Sequence, residues 1–219
     1  MKCHELFEEI RKCKGFDKCW GITHPPPNPV VVPCLDKPEI MVVTEQRPSG
    51  KEFNLIEDII KAKRGELTKG IIPKMEVFFR KGFLKNFDTE KRAFEKFYWT
   101  HYLKCPGNIR KRKRKGTDLK ACAEKYLLKE INILCPKVVV TMGNQPSKWL
   151  LNKLGYPKDW NDRIWEEIQC VIQEKELQKF KINGREIQVV VMPHPSGINP
   201  LGHLLNNKIS ELFSEFTNS

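Results

Sequence analysis

The sequence has no run of about 18 apolar residues, so we expect no membrane-spanning helix. Its opening segment, Met-Lys-Cys-His-Glu-Leu-Phe-Glu-Glu-Ile, carries acidic side chains where a secretory signal has an apolar stretch, which predicts an intracellular protein. Internal repeats and low-complexity tails are also missing. The 219 residues are enough for a single domain, 1–219, with a sizeable buried core.

Acidic residues are the minority charge, since 27 Asp and Glu stand against 39 Lys and Arg for a net charge of +12. Such an excess favours a polyanionic partner, nucleic acid before an anionic membrane surface. Six consecutive cations form what we term the basic block: Arg110, Lys111, Arg112, Lys113, Arg114 and Lys115. The loop 106–117 that contains them is predicted to contact DNA phosphates, with a solvated basic loop as the alternative.

Eight cysteines lie at positions 3, 13, 19, 34, 105, 122, 135 and 170. Without a secretory signal a disulfide framework is not expected, so metal or cluster ligation is the better interpretation for part of the set. Cys135 and Cys170 are predicted to be small buried hydrophobes. A zinc-ribbon module would need two compact cysteine pairs, and the 85 residues between Cys19 and Cys105 argue against it.

Short apolar strands alternate with amphipathic helices along the chain. Strands are predicted at 39–44, 97–103, 137–143 and 187–192, and helices within 1–20 and at 52–64, 119–134, 145–154 and 204–216. The dipeptide Asn183-Gly184 is a hairpin signal. This order predicts an α/β fold, a three-layer α/β/α sandwich with a central four-stranded parallel sheet.

The last predicted strand runs into Pro193-His194-Pro195-Ser196-Gly197. The strand must end there, because proline cannot continue the hydrogen-bond ladder. His194 is therefore held between two prolines at the carboxyl end of a strand, where α/β proteins usually place their sites.

That loop resembles the His-Pro-Ser loop of the uracil-DNA glycosylase superfamily. The segment Thr100-His-Tyr-Leu-Lys-Cys105 resembles the Thr-Asn-x-x-Lys-Cys segment of its iron–sulfur branch, the family 4 enzymes. Cys122 through Gly143 resembles that branch's Cys, amphipathic helix, Pro-Lys, apolar strand and Gly. Thr44-Glu45-Gln46 stands where the branch has Gly-Glu-Ala-Pro-Gly. The resemblance is loose over 10–205 and close over 97–145.

The resemblance implies a 4Fe-4S cluster held by Cys13, Cys19, Cys105 and Cys122, with zinc in a four-cysteine site as the alternative. The cluster would be structural and would join the N-terminal segment 1–35 to the basic loop. Five residues separate the first two ligands, a wider spacing than in the family, so Cys3 or Cys34 could replace one of them.

The resemblance also implies that His194 donates a hydrogen bond to the departing base and that Glu45 orients or activates water. For Glu45 a surface carboxylate is the alternative. Phe53 would stack on the flipped base, with core packing as its alternative. His101 replaces the family's Asn and donates and accepts only through opposite ring nitrogens. Either this protein recognises another base, or its uracil activity is weak, or His101 is catalytic; a structural role is the remaining alternative.

Ser196 and Gly197 would let the backbone approach a phosphate, and Ile198 would be the apolar wedge that fills the space of the flipped base. We therefore expect a monomeric, monofunctional glycosylase that removes uracil or another deaminated base from damaged DNA in base-excision repair. Monofunctional chemistry is expected because no Lys stands at a matched motif position to form a Schiff base. The alternative is a non-catalytic iron–sulfur protein that binds nucleic acid on the same scaffold.

Overall fold

A five-stranded sheet forms the centre of the molecule, in a computed structural model that describes residues 3–13, 38–46, 61, 64–66, 68, 97–104, 119–155 and 178–192. In chain order the strands are β1 (Ile40–Gln46), β2 (Phe97–Leu103), β3 (Val138–Met142), β4 (Gln178–Ile182) and β5 (Arg185–Met192). Their spatial order is β2-β1-β3-β5-β4. The first four strands in that order pair in parallel, which confirms the predicted α/β class and its four parallel strands.

The fifth strand, β4, pairs antiparallel with β5 at the edge of the sheet. Asn183 and Gly184 both have positive φ, +51° and +76°, and form the two-residue hairpin connection that their sequence predicted. Lys179 and Lys181 on β4 are exposed, as is typical of edge strands that avoid pairing with other chains. The sheet is thus mixed, with an antiparallel edge that the predicted four-stranded sheet lacked.

Four α-helical segments and one π-helical turn accompany the strands in the described part of the chain. They are α1 (Cys3–Arg11), α2 (Leu119–Cys122), the π-turn (Ala123–Leu127), α3 (Leu128–Leu134) and α4 (Asn144–Lys153). The predicted helices at 204–216 and, apart from residues 61 and 64, at 52–64 lie outside the described residues. None of the helices among the described residues is long and apolar enough to cross a membrane.

Both faces of the sheet are buried. The strand residues with at most 1% exposure include Ile40, Val42, Val138 and Val140 on one face and Met41, Val43 and Val139 on the other. Such runs of apolar residues are typical of parallel strands that are covered on both sides. Buried polar groups are concentrated toward the carboxyl ends of β1 and β2.

Helix α1 packs against α3 and β2. The Phe7 ring stacks on the Tyr98 ring with 6.4 Å between centroids, and Lys129 Nζ lies 2.9 Å from a Glu9 carboxylate oxygen. Ile10 is fully buried, which contributes on the order of 1.5–3 kcal/mol relative to an exposed side chain. This packing holds the N-terminal segment against the helix that follows Cys122.

Candidate functional site

The carboxyl ends of four parallel strands meet at one edge of the sheet. Thr44 is in register with His101 of β2 and with Met142 of β3, and Met142 is in register with Met192 of β5. The Gly143 N–H donates to the Met192 carbonyl at 2.9 Å and so ties the end of β3 to the end of β5. Ligands of α/β proteins bind at such an edge.

His101 is 1% exposed, and a neighbouring strand holds its ring. Thr44 Oγ1 lies 2.7 Å from His101 Nδ1. The Trp99 Nε1–H donates to the same hydroxyl oxygen at 3.0 Å, and the Thr100 carbonyl oxygen lies 3.4 Å from it. Sequence reasoning named His101 but gave no role to Thr44 or Trp99. Only the pairing register of β1 and β2 could have connected them.

Glu45 is half-buried and lies beside Gly143. A Cβ atom on Gly143 would stand 3.1 Å from Glu45 Cγ and 3.2 Å from its Oε1. Gly143 has φ +98° and caps α4, whose N-terminus favours a nearby negative charge. The glycine therefore makes room for the carboxylate. Glu45 is part of β1 itself and not, as predicted, of a turn after a strand that ends at residue 44.

Glu45 and His101 leave the sheet from opposite faces. Successive strand residues alternate between faces, and Thr44 shares its face with His101. Glu45 therefore points to the face that carries Thr100 and Lys104. The structure brings the two predicted residues to one edge but places them on its two sides.

A second buried polar network occupies the Glu45 face of β2. Lys104 Nζ and Glu130 Oε2 form an ion pair in which both side chains are 0% exposed. The Thr100 hydroxyl accepts from Lys104 at 2.7 Å and donates to Glu130 at 3.1 Å, and the Tyr98 hydroxyl donates to Glu130 at 3.0 Å. Burial raises the pKa of Glu130 above its usual range, although Lys104 opposes the shift. The network joins the end of β2 to α3.

Two of the predicted cluster ligands, Cys13 and Cys122, converge on Tyr126. Burial raises the pKa of Tyr126, and the nearby side chains of Cys13, Glu9 and Cys122 raise it further. The backbone N–H of Lys104 donates to Cys122 Sγ at 3.3 Å, and Cys105 is the next residue along the chain. Within the described ranges no group of three or more His, Cys, Asp or Glu residues forms a site for a metal ion.

The helix after Cys122 contains the π-turn, a feature that sequence reasoning missed. The turn begins directly after that cysteine and buries Ala123, Tyr126 and Leu127. Single π-turns inside α-helices are rare and often lie at functional sites. No local signal in this sequence predicts the turn.

The prediction for Cys135 was wrong. Its side chain is only partly buried, and its φ of +49° places it in the left-handed region as the C-cap of α3. The helix ends there because the next residue is Pro136, and proline disfavours a helical conformation in the residue before it. The Arg185 guanidinium donates to Cys135 Sγ.

Most of the other predicted site residues lie outside the described residues and stay predictions. They are Cys19, Cys105, Phe53, the basic block, His194, Ser196, Gly197 and Ile198, together with the alternative ligand Cys34 and with Cys170. The other alternative ligand, Cys3, begins α1. Strand β5 ends two residues before His194, so the chain enters that loop from the same sheet edge.

Comparison with known protein families agrees with the fold. A family model described as the Uracil DNA glycosylase superfamily matches residues 36–217, which include every strand of the sheet. Comparison with curated proteins gives no match. The matched range includes Glu45, His101 and the His194 loop, and it leaves out α1 and Cys13. The chain therefore belongs to the uracil DNA glycosylase superfamily.

Proposed function

We propose that the chain is a monofunctional DNA glycosylase that hydrolyses the N-glycosidic bond of uracil or another deaminated base. The observation that carries the proposal is that Glu45, His101 and the end of the strand leading to His194 lie at one edge of a parallel sheet. Membership of the superfamily supports a uracil-type glycosylase in general. Action on DNA in base-excision repair implies an intracellular location.

The proposed reaction breaks the bond between the sugar and the base and joins the sugar to a water oxygen. Positive charge grows on the sugar and negative charge on the base, so a hydrogen bond from His194 to a base oxygen stabilises the transition state. Glu45 takes the proton that the attacking water loses, the base leaves with the electron pair of the broken bond, and the proton is finally transferred to the base. Gly143 leaves space for the Glu45 carboxylate. Phe53 stacks on the flipped base.

Lys104 is not a nucleophile in this proposal. The expectation that no lysine stands at a matched motif position was wrong, because Lys104 is the lysine of the motif that ends β2. Its ammonium group, however, is fully buried in the ion pair with Glu130. A Schiff base would require this nitrogen to be neutral and to face the sugar. The ion pair therefore favours direct hydrolysis.

We propose further that the protein belongs to the family 4 branch and carries a 4Fe-4S cluster. Cys13 and Cys122 fit a ligand set because both approach Tyr126, and Cys122 Sγ already accepts a backbone N–H. Hydrogen bonds to cysteine sulfur are typical of iron–sulfur sites. Cys19 and Cys105 would complete the set. When bound, the cluster would supply a structural link between the N-terminal segment and the basic loop.

The basic block is proposed to bind DNA phosphates while Ser196, Gly197 and Ile198 press on the strand that carries the flipped nucleotide. Neutralising three of the six basic residues with Gln should lower the slope of log affinity against log salt by about 3. Binding measurements at several salt concentrations test this proposal. An unchanged slope would contradict it.

The activity is tested with end-labelled duplexes and single strands that contain uracil, hypoxanthine or xanthine, followed by alkaline cleavage of abasic sites. His194→Ala and Glu45→Gln should each lower base release by about 10²- to 10⁴-fold. Glu186→Gln is the matched control, because Glu186 is an exposed acid on β5. Protein that binds DNA but releases no base would overturn the enzyme and favour the non-catalytic binding protein.

The cluster is tested separately by iron, zinc and sulfide analysis and by the visible absorption spectrum. Cys13→Ser and Cys122→Ser should each lower the iron content, whereas Cys135→Ser should not, because Cys135 contacts Arg185 and not Tyr126. Zinc without sulfide would replace the cluster by a four-cysteine zinc site. Full metal content in both ligand variants would contradict the assignment of these two cysteines.

A further inference from the structure

A cavity lies at the amino edge of the sheet, opposite to the edge that carries Glu45 and His101. It has a volume of about 360 Å³ and is bounded by the end of α3, the start of β3 and the β4–β5 hairpin. Binding sites for small molecules measure about 300–1,000 Å³, so this cavity is large enough for one. Neither the proposed hydrolysis nor the proposed cluster involves its lining. The lining includes Asn132, Cys135, Arg185 and Glu186.

Cys135 places a thiol in the wall of this cavity. The residue is only partly buried, so a reagent in the cavity can reach it. The thiol donates to the Asn132 carbonyl oxygen, which lies 2.9 Å from Sγ, and the sulfur accepts an N–H from the Arg185 guanidinium. A cationic donor on sulfur stabilises the negative charge that a cysteine carries when it acts as a nucleophile. The cavity therefore holds a thiol that is accessible and assisted by a cation.

The Arg185 guanidinium provides the second chemical feature of the cavity. In the described part of the chain no carboxylate pairs with it, and it bonds the neutral Cys135 thiol instead. The acid of the cavity, Glu186, lies 3.3 Å from Lys179 Nζ, which offsets its charge. A guanidinium carries several N–H donors in a planar fork that matches a carboxylate, so Arg185 has donors left for a ligand. This arrangement favours an anionic ligand that brings its reactive atom to the Cys135 sulfur.

We propose that this cavity is a thiol-modification site, where Cys135 forms a mixed disulfide with a small acidic disulfide such as oxidised glutathione. A carboxylate of the reagent binds Arg185. The deprotonated Cys135 sulfur attacks one sulfur of the reagent, the S–S bond of the reagent breaks, and a new S–S bond joins one half to the protein. The other half leaves as a thiolate and takes up a proton from water, which replaces the proton that Cys135 lost. Cys135 is oxidised and the reagent is reduced, so no further oxidant is needed.

The modification is tested by incubating the full chain with oxidised glutathione and locating the adduct by mass spectrometry of proteolytic peptides. Peptides are needed because the chain has eight cysteines. The rate of adduct formation at Cys135 in the folded protein is compared with the rate at Cys135 in the chain unfolded by urea. The folded protein should react about tenfold faster or more, the effect of one hydrogen bond to a charged group. Cys135→Ser should lose this adduct alone. A folded protein that reacts at Cys135 no faster than the unfolded chain would overturn the proposal.

The role of Arg185 is tested with a neutral reagent, hydroxyethyl disulfide, beside glutathione. In the wild type the ratio of folded to unfolded rates should be about tenfold higher for glutathione, because only glutathione has carboxylates for Arg185. Arg185→Gln should abolish this preference. Lys181→Gln is the matched control and should keep it, since Lys181 is an exposed cation on the same hairpin that does not line the cavity.

Equal ratios for the two reagents in the wild type would overturn recognition of an acidic disulfide, even where Arg185→Gln fails to fold. A preference that persists in folded Arg185→Gln would overturn the assignment of the carboxylate to Arg185. Neither measurement depends on base release. The modification site and the proposed glycosylase activity can therefore fail separately.

Discussion

The two faces of β2 carry two buried polar networks of different character. On one face, Trp99 and His101 meet the Thr44 hydroxyl in a network of neutral groups. On the other face, Lys104 and Glu130 form an ion pair that two hydroxyl groups complete. Both networks are almost fully excluded from water. One strand thus divides its residues between two sites by simple alternation.

The difference between the networks lies in what they contact. The charged network joins β2 to α3, and its charged groups, Lys104 and Glu130, bind each other. We therefore expect this network to stabilise the folded protein. The neutral network holds the inner nitrogen of His101 through the Thr44 hydroxyl, so we assign it to the orientation of the His101 ring. Variants on the two faces should therefore separate stability from base selection.

The largest effect is expected from Lys104→Met. It leaves Glu130 buried without its cation, and breaking a buried pair in this way costs about 3–5 kcal/mol. Urea unfolding at neutral pH measures the loss. Adding Glu130→Met should recover most of it, because an apolar pair of similar volume can replace a buried ion pair. A double variant whose loss equals the sum of the losses of Lys104→Met and Glu130→Met would show that the two residues are not coupled.

The next effect compares two matched threonines, Thr100→Val and Thr44→Val. Thr100 bonds charged groups, so Thr100→Val should lower the free energy of unfolding by about 1.5–3 kcal/mol. Thr44 bonds neutral groups, so Thr44→Val should lower it by about 0.5–1.5 kcal/mol. Only Thr44→Val should change base release beyond what unfolding explains. Equal stability losses, or a change in base release from Thr100→Val alone, would remove the distinction between the faces.

A smaller effect is expected from Gly143→Ala on the Glu45 side of the edge. The positive φ of +98° and the approach of a Cβ to Glu45 Cγ at 3.1 Å make the variant less stable by about 1 kcal/mol. The rate of base release should fall by more than the loss of folded protein explains, because the carboxylate is displaced. Gly184→Ala is the control, since its φ is also positive but nothing lies within 4 Å of its added Cβ. Equal base release in the two variants would contradict the role of Gly143.

The smallest effect is a pH dependence that distinguishes the charged face. The pKa of Glu130 is raised above the 4.5 of an unfolded chain, so the folded protein holds this proton more tightly. Its stabilising contribution is fully present below about pH 4.5 and is lost as the pH rises through the raised pKa. The free energy of unfolding of wild type minus that of Glu130→Gln should therefore fall as the pH rises. The opposite slope would mean a lowered pKa.

Local patterns were sufficient to predict the parallel strands. Strand β2 was predicted over 97–103, where aromatic residues and threonine favour a strand, and it has those bounds. Asn183-Gly184 marked the hairpin, but its first strand, Gln-Lys-Phe-Lys-Ile, is too polar to stand out as a strand of the sheet. Strands that are buried on both faces can be predicted from their apolar composition, whereas an exposed edge strand cannot.

The candidate site was predictable only in part, because its partners meet through tertiary structure. Glu130 resembles any acid on an amphipathic helix, and its burial depends on Lys104, which lies 26 residues earlier. Thr44 acquires its role from the register of β1 with β2. The resemblance to a family identified His101, but its contact with Thr44 depends on the position of a hydroxyl group on another strand.

The contact between Gly143 and Glu45 has a consequence for natural variation. The backbone at Gly143 has a positive φ, a conformation that favours glycine. The Glu45 side chain fills the space that a side chain at position 143 would need. The two positions should therefore vary together, because a side chain at position 143 would meet the Glu45 side chain. Related chains should keep Glu45 and Gly143 together or lose both.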